Sequence, residues 1–228
     1  MFPNPTLITL SGQNTAKETA RKEDKHTAAG KRKFRALTAA AAAIACLVIG
    51  TAGLLALDAE FDGNIIGRGF PQGLTETTLG DYYRNGGRGD KKLILRTDVV
   101  RQYPLYPTFP GERFVPLGSL YTMIDKDYQL SVLDAVVCLV EYMPDGSTHN
   151  MIRQYFRNPN GFRYSRLVTL SGPNTLKGKL KTYIHFAAES ILARKPILKD
   201  LPSKLLGLLC LPFGVALACY IKYRCKNK

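Results

Sequence analysis

Residues 36–57, "ALTAAAAAIACLVIGTAGLLAL", run for 22 positions without one charged side chain. Built as an α-helix, the stretch is about 33 Å long, enough to cross a hydrocarbon core of about 30 Å. A helix buried in a soluble core normally keeps a polar stripe, and this one has only Thr38 and Thr51. The sequence therefore predicts a first transmembrane helix over 36–57. A cleaved leader fits less well, because 35 residues precede the apolar run and its end, "LLALDAEF", lacks a small-x-small cleavage site. An organelle transit peptide fits poorly too. The first 17 residues are free of acid, but Glu18, Glu23 and Asp24 follow without an Arg-rich amphipathic pattern.

A second apolar run, Leu205–Ile221, has 17 uncharged residues, about 26 Å of helix. That is at the short limit for a span, and Lys204 and Lys222 bracket it where they can snorkel to headgroups. Pro212 removes one backbone hydrogen bond mid-segment, which a membrane helix tolerates when a neighbour satisfies the freed carbonyl. A second transmembrane helix over 204–222 is the expectation, with a surface-lying or re-entrant segment as the alternative.

Charge follows these segments closely. Residues 1–35 carry eight Lys or Arg against three acids, residues 58–166 thirteen of each, and residues 167–228 eleven against two. The entire surplus of +14 thus flanks the apolar runs. By the positive-inside rule the N-terminal segment 1–35 lies on the cytoplasmic or matrix side and residue 58 onward on the other. The tail 223–228 returns to the basic side if the second segment spans. Nucleic-acid binding calls for basic residues interleaved with exposed aromatics on one folded surface. Here the folded middle is neutral, so anionic lipid is expected as a partner and nucleic acid is not.

Residues 58–175 read as a small β-rich domain. From Tyr128 to Leu170 the pattern suggests a β-meander: "YQLSVLDAVVCLVEYM", a turn at "PDGS", "THNMIRQYF", a turn at "NPNG", and "FRYSRLVTL". "KKLILRTDVVRQY" suggests a strand pair or a strand followed by a helix. The four prolines of "YPLYPTFPGERFVP" exclude regular structure there.

One phrase occurs twice. "LITLSGQNTAK" at Leu7–Lys17 and "LVTLSGPNTLK" at Leu167–Lys177 agree at eight of eleven positions. Each reads as a short strand, a turn and a helix N-cap, with Thr15 and Glu18 forming a capping box in the first copy. After the second copy, residues 176–203 form a basic amphipathic helix and linker. Leu176, Leu180, Tyr183, Ile184, Ala187, Ala188, Ile191 and Leu192 share its apolar face, opposite Lys177, Lys181 and Glu189. The residues expected to meet lipid or a partner are Lys177, Lys179, Lys181, Arg194, Lys195, Lys204 and Lys222.

Motifs of catalysis are missing: there is no G-x-S-x-G, P-loop, H-E-x-x-H or dinucleotide fingerprint. His26, His149 and His185 lack ligand spacing, so neither metal nor cofactor is expected. Asp125 and Asp127 read as a charged loop, and Asp134 as a buried carboxylate in a structural ion pair. Cys46, Cys210 and Cys219 fall in apolar segments and Cys225 in the tail, leaving Cys138 alone in the domain without a disulfide partner. Cys225 lies close enough to the membrane for palmitoylation. Arg88-Gly89-Asp90 spells an adhesion tripeptide, but the chain has no N-x-S/T sequon, as an adhesive ectodomain commonly would.

The sequence thus predicts an α+β membrane protein: two transmembrane helices flanking a small, mainly antiparallel β domain (a β-meander), plus an interfacial amphipathic helix. The expected role is a non-catalytic accessory or assembly subunit of an inner-membrane complex of respiratory-chain or ATP-synthase type. The mitochondrial inner membrane is the first expectation and a bacterial inner membrane the second. An envelope or secretion scaffold and a channel auxiliary subunit are the alternatives.

Overall fold

A computed structural model describes residues 50–226 except 144, 145 and 147–149. The chain divides into two units, Met1–Ile49 and Gly50–Lys228, and the described elements belong to the second. The first copy of the repeated phrase, the basic segment 1–35, residues 36–49, His26, Cys46 and His149 lie outside the described residues.

Strand β1 (Gly53–Ala59) is the centre of a four-stranded mixed sheet with β2 (Glu76–Thr77), β3 (Lys91–Leu95) and β4 (Leu130–Leu139). The order is β2-β4-β1-β3, with β1 antiparallel to β3 and parallel to β4. Every residue of β1 is buried, so "GLLALDA" is apolar because both its faces are covered. This corrects the first predicted span. Its last residues form a turn and the central strand, so the 36–57 run does not continue as a helix to Leu57. Gly53 takes φ +150° and lies against the backbone of Ile94 and Leu95, where a side chain has no room.

Around one face of the sheet gather Ala52, Leu55, Tyr82, Val99, Ile124 and Leu130. Helices α1 (Leu79–Arg84), α2 (Thr97–Val100) and α3 (Gly118–Ile124) supply Tyr82, Val99 and Ile124. The strand-then-helix reading of "KKLILRTDVV" holds, and residues 101–117 carry no strand and no α-helix, as their prolines dictate. Asp125 has a defined task. Its carboxylate accepts hydrogen bonds from the N–H groups of Leu79 (3.1 Å) and Gly80 (2.7 Å) at the start of α1.

The predicted meander is overturned after β4. Met151–Arg157 is helix α4 and Pro159–Leu170 is helix α5. "NPNG" is not a hairpin turn: Pro159 occupies the first helical turn, where its missing N–H costs nothing. Glu112 secures that end by accepting from the N–H groups of Asn160 (2.9 Å) and Gly161 (2.8 Å). "LVTL" is accordingly the last turn of α5 and not a strand. Asp134 is also corrected, to an exposed position. The register of β4 against β1 jumps from Leu133 to Val136 at a bulge, which turns Asp134 out of the ladder.

Helix α6 occupies Leu176–Leu192 and α7 occupies Lys204–Lys226. The N-cap read from "NTLK" is present: Thr175 Oγ1 accepts from the N–H of Gly178 at 3.1 Å. A second core of Tyr183, Phe186, Leu201 and Cys210, with Leu167, Leu170 and Leu198 packed on it, joins α5, α6, α7 and the linker.

Candidate functional site

The residues expected to meet lipid all fall on the unit built by α6, α7 and their linker. Lys177, Lys179 and Lys181 are exposed on the first turns of α6, and Arg194 and Lys195 are exposed just past its end. Lys204 and Lys222 are exposed on α7. Two contacts set the helices' relative direction. The Cys210 thiol lies 3.9 Å from the Leu180 carbonyl oxygen, and Gly214 lies against Ile184 and Ala187. Both contacts advance together along the chain, so α6 and α7 run the same way. Lys204 therefore lies at the end of α7 beside the lysine-bearing first half of α6, and Lys222 lies towards the other end.

Helix α7 is sharply two-sided. Gly207, Cys210, Gly214, Ala218 and Ile221 are buried at helical spacing against the protein. A Cβ on Gly214 would stand 2.5 Å from the Cβ of Ala187, so glycine there permits the close approach of the two backbones. The outward side carries Leu205 (68% exposed), Leu209 (60%) and Phe213 (64%), continuing through Val215 and Tyr220 to Tyr223. No acid lies anywhere on α7, and its last turn carries Arg224 and Lys226. Among the described residues it is the one helix long and apolar enough, by length and composition, to cross a membrane.

The face of α6 differs from the one expected. Thr182, Tyr183, Phe186, Ala187, Ala188, Glu189 and Ser190 are buried, while Leu176 is 68% exposed and Leu180 and Ile184 are half-buried. Part of the predicted apolar stripe therefore faces outward. With Lys177, Lys181 and His185 it lines an open groove of about 540 Å³ whose surface is almost wholly apolar.

One acid of this region, Glu189, is turned inward, which the sequence did not reveal, while Asp200 stays exposed. Glu189, read as an exposed residue, is 1% exposed, and its Oε1 accepts from Arg166 Nε (3.2 Å) and NH2 (3.0 Å). The Arg166 guanidinium also covers the rings of Tyr155 and Phe162, 5.8 and 5.9 Å from their centroids. Arg163 pairs with Asp200, donates to Ser190 Oγ at 3.1 Å and stacks on Phe186 at 4.7 Å. His185 Nδ1 lies 3.8 Å from Glu189 Oε1, too far for a hydrogen bond, and Glu189 Oε2 is buried without a partner. Arg163 and Arg166 escaped notice because a segment read as a strand splits them between two faces. On a helix, three residues apart, they share one.

Elsewhere the polar groups serve the fold. Asp58, on β1, is 5% exposed with Oδ1 unpartnered. Burial pushes its carboxyl above the usual range, and Lys92 beside it pulls the other way. Asp90 of the adhesion-like tripeptide accepts from Tyr142 Oη at 2.6 Å, and this bond with burial lifts the Tyr142 hydroxyl to about 12. Arg88 and Asp90 also offer their carbonyls to Lys91 Nζ, so the tripeptide is tied back into the domain. Among the described residues no three His, Cys, Asp or Glu side chains gather as a metal site. Comparison with protein-family models, with curated proteins and with solved structures finds no match to this chain.

Proposed function

We propose that this chain is a non-catalytic accessory or assembly subunit of a multi-subunit inner-membrane complex, held at the membrane through α7. The carrying observation is the outward side of α7: a continuous apolar face on a helix with cationic ends, exposed among the described residues. Monomeric soluble proteins rarely leave so large an apolar patch open, because water disfavours it. The polar networks support the same reading. Asp125, Glu112, Arg163 and Arg166 are each engaged in capping or cross-linking helices, as in a rigid module that others bind.

The proposed setting is a respiratory-chain or ATP-synthase type of complex, in the mitochondrial inner membrane first and a bacterial inner membrane second. Its partners there are neighbouring subunits and anionic lipids. The test is fractionation of the native membrane in mild detergent, followed by sizing and identification of what co-purifies. The expected result is recovery from the membrane fraction in an assembly far larger than the 25.2 kDa chain. Recovery as a free monomer from the soluble fraction would overturn the proposal.

A further inference from the structure

We propose that α7 lies along the membrane interface, with its outer face sunk among anionic lipids, and does not cross the bilayer. The inference rests on the reading that the membrane holds this chain, and it specifies how. A crossing helix offers its whole circumference to hydrocarbon or to other apolar helices. One side of α7 is already taken along its length. Gly207 meets Leu198 and Leu201 of the linker, Gly214 meets α6, and the Cys225 thiol lies 3.8 Å from the Ile152 carbonyl oxygen in α4.

These neighbours bring charge with them. Leu180 is level with Cys210, so Lys181 stands only about 6 Å along the axis from the middle of α7. Lys177 and Lys179, the preceding cations, are exposed on the same helix. A crossing α7 would draw all three towards the hydrocarbon, together with the Arg166–Glu189 pair, and the bilayer centre strongly disfavours such groups. An in-plane α7 avoids this. Leu205, Leu208, Leu209, Phe213 and Val215 enter the acyl boundary, Tyr220 and Tyr223 sit at headgroup level, and the lysines reach the phosphates.

Charge selects lipid over a second copy of the chain. The two acids of the α6–α7 unit, Glu189 and Asp200, are paired with Arg166 and Arg163, so the exposed Lys177, Lys179, Lys181, Lys204 and Lys222 leave the rim with a net positive charge. Two such faces repel one another, whereas an anionic bilayer is complementary. The open groove of Leu176, Leu180 and Ile184, edged by Lys177 and Lys181, extends the same chemistry: apolar floor for an acyl chain, cations for its headgroup.

The experiment uses the native full chain, synthesised beside sealed vesicles of phosphatidylcholine with or without phosphatidylglycerol. Floated vesicles are treated with a membrane-impermeant amine reagent, and modification of Lys204 and Lys222 is read by peptide mass spectrometry before and after detergent. A membrane-impermeant maleimide reports Cys219, which lies on the exposed side of α7. Expected are flotation at least about tenfold stronger with phosphatidylglycerol, equal labelling of Lys204 and Lys222 without detergent, and Cys219 shielded by vesicles. Protection of either lysine until detergent is added means α7 crosses: the inference falls and the membrane reading stands. Cys219 labelling unchanged by vesicles, or flotation indifferent to phosphatidylglycerol, also overturns the inference. No flotation, or self-association instead of it, overturns the membrane reading as well.

Discussion

Replacing Arg166 by Met isolates the strongest electrostatic commitment in the helical half of the molecule. Methionine keeps much of the apolar stem that packs against Tyr155 and Phe162 but removes the guanidinium. Glu189 is then left 1% exposed, with neither oxygen hydrogen-bonded and His185 Nδ1 3.8 Å from Oε1. Orphaning one partner of a buried ion pair costs about 3–5 kcal/mol. The Arg166 side chain is 21% exposed, so some solvent already screens the pair and the lower end applies, about 3 kcal/mol. The cation–π contacts, near the 6 Å limit, add about 0.5 kcal/mol. With a urea m-value of about 2 kcal/mol/M, the unfolding midpoint should fall by about 1.5–2 M. Far-UV circular dichroism in a mild detergent is the assay, since the chain has no tryptophan. The double variant Arg166→Met with Glu189→Leu removes both charges and should return to within about 1 kcal/mol of the parent. A loss under about 1 kcal/mol in the single variant, or a double variant as unstable as the single, would refute the reasoning.

Gly214→Leu should separate α6 from α7, because its side chain has no space beside Ala187; a loss of about 1–3 kcal/mol is expected, read as a lower melting temperature, and an unchanged melt argues against close packing. Asp58→Asn tests the buried carboxylate of β1. Burial raises its folded-state pKa, so between the unfolded and folded values the native state holds more protons than the unfolded one, and Asp58 weakens the fold as pH rises through the folded value. Urea midpoints should therefore improve on substitution at neutral pH and converge with the parent's below the ordinary carboxylate range; a penalty that is larger at neutral pH than at low pH would contradict this sign.

Why the β-meander failed is instructive. "THNMIRQYF" and "FRYSRLVTL" hold β-branched and aromatic residues in short runs, and runs of that length do not distinguish strand from helix by period. "NPNG" weighed towards a hairpin through its Asn-Gly pair. The decisive residue was Pro159, which suits the first turn of a helix and whose N-terminal partner, Glu112, lies 48 positions upstream of Asn160. Such a long-range cap is invisible to local pattern. The apolar run 36–57 misled for a related reason. A central strand covered on both faces is as continuously hydrophobic as a span, and only pairing with β3 and β4 tells "GLLALDA" from the end of a membrane helix. By contrast, the start of α6 was legible to the residue. Thr175 caps it, and Arg194, at φ +55°, ends it in the left-handed region.

The candidate contact face was legible in its cations and not in its geometry. Composition places lysines around an apolar segment, and both a crossing helix and an in-plane one need that arrangement. What separates the two is whether anything charged travels beside the segment, and that depends on how α7 packs along α6. Small residues decide it. Gly207, Gly214 and Ala218, read singly, are unremarkable in an apolar helix. On one buried side of the helix, Gly214 admits α6 and Gly207 admits Leu198 and Leu201 of the linker, a packing that sets Lys181 near the level of Cys210. The same packing leaves the bulky Leu205, Leu209, Phe213 and Tyr223 on the opposite side. The side chains that make α7 resemble a span are thus confined to one face, the arrangement that the proposed in-plane seat requires.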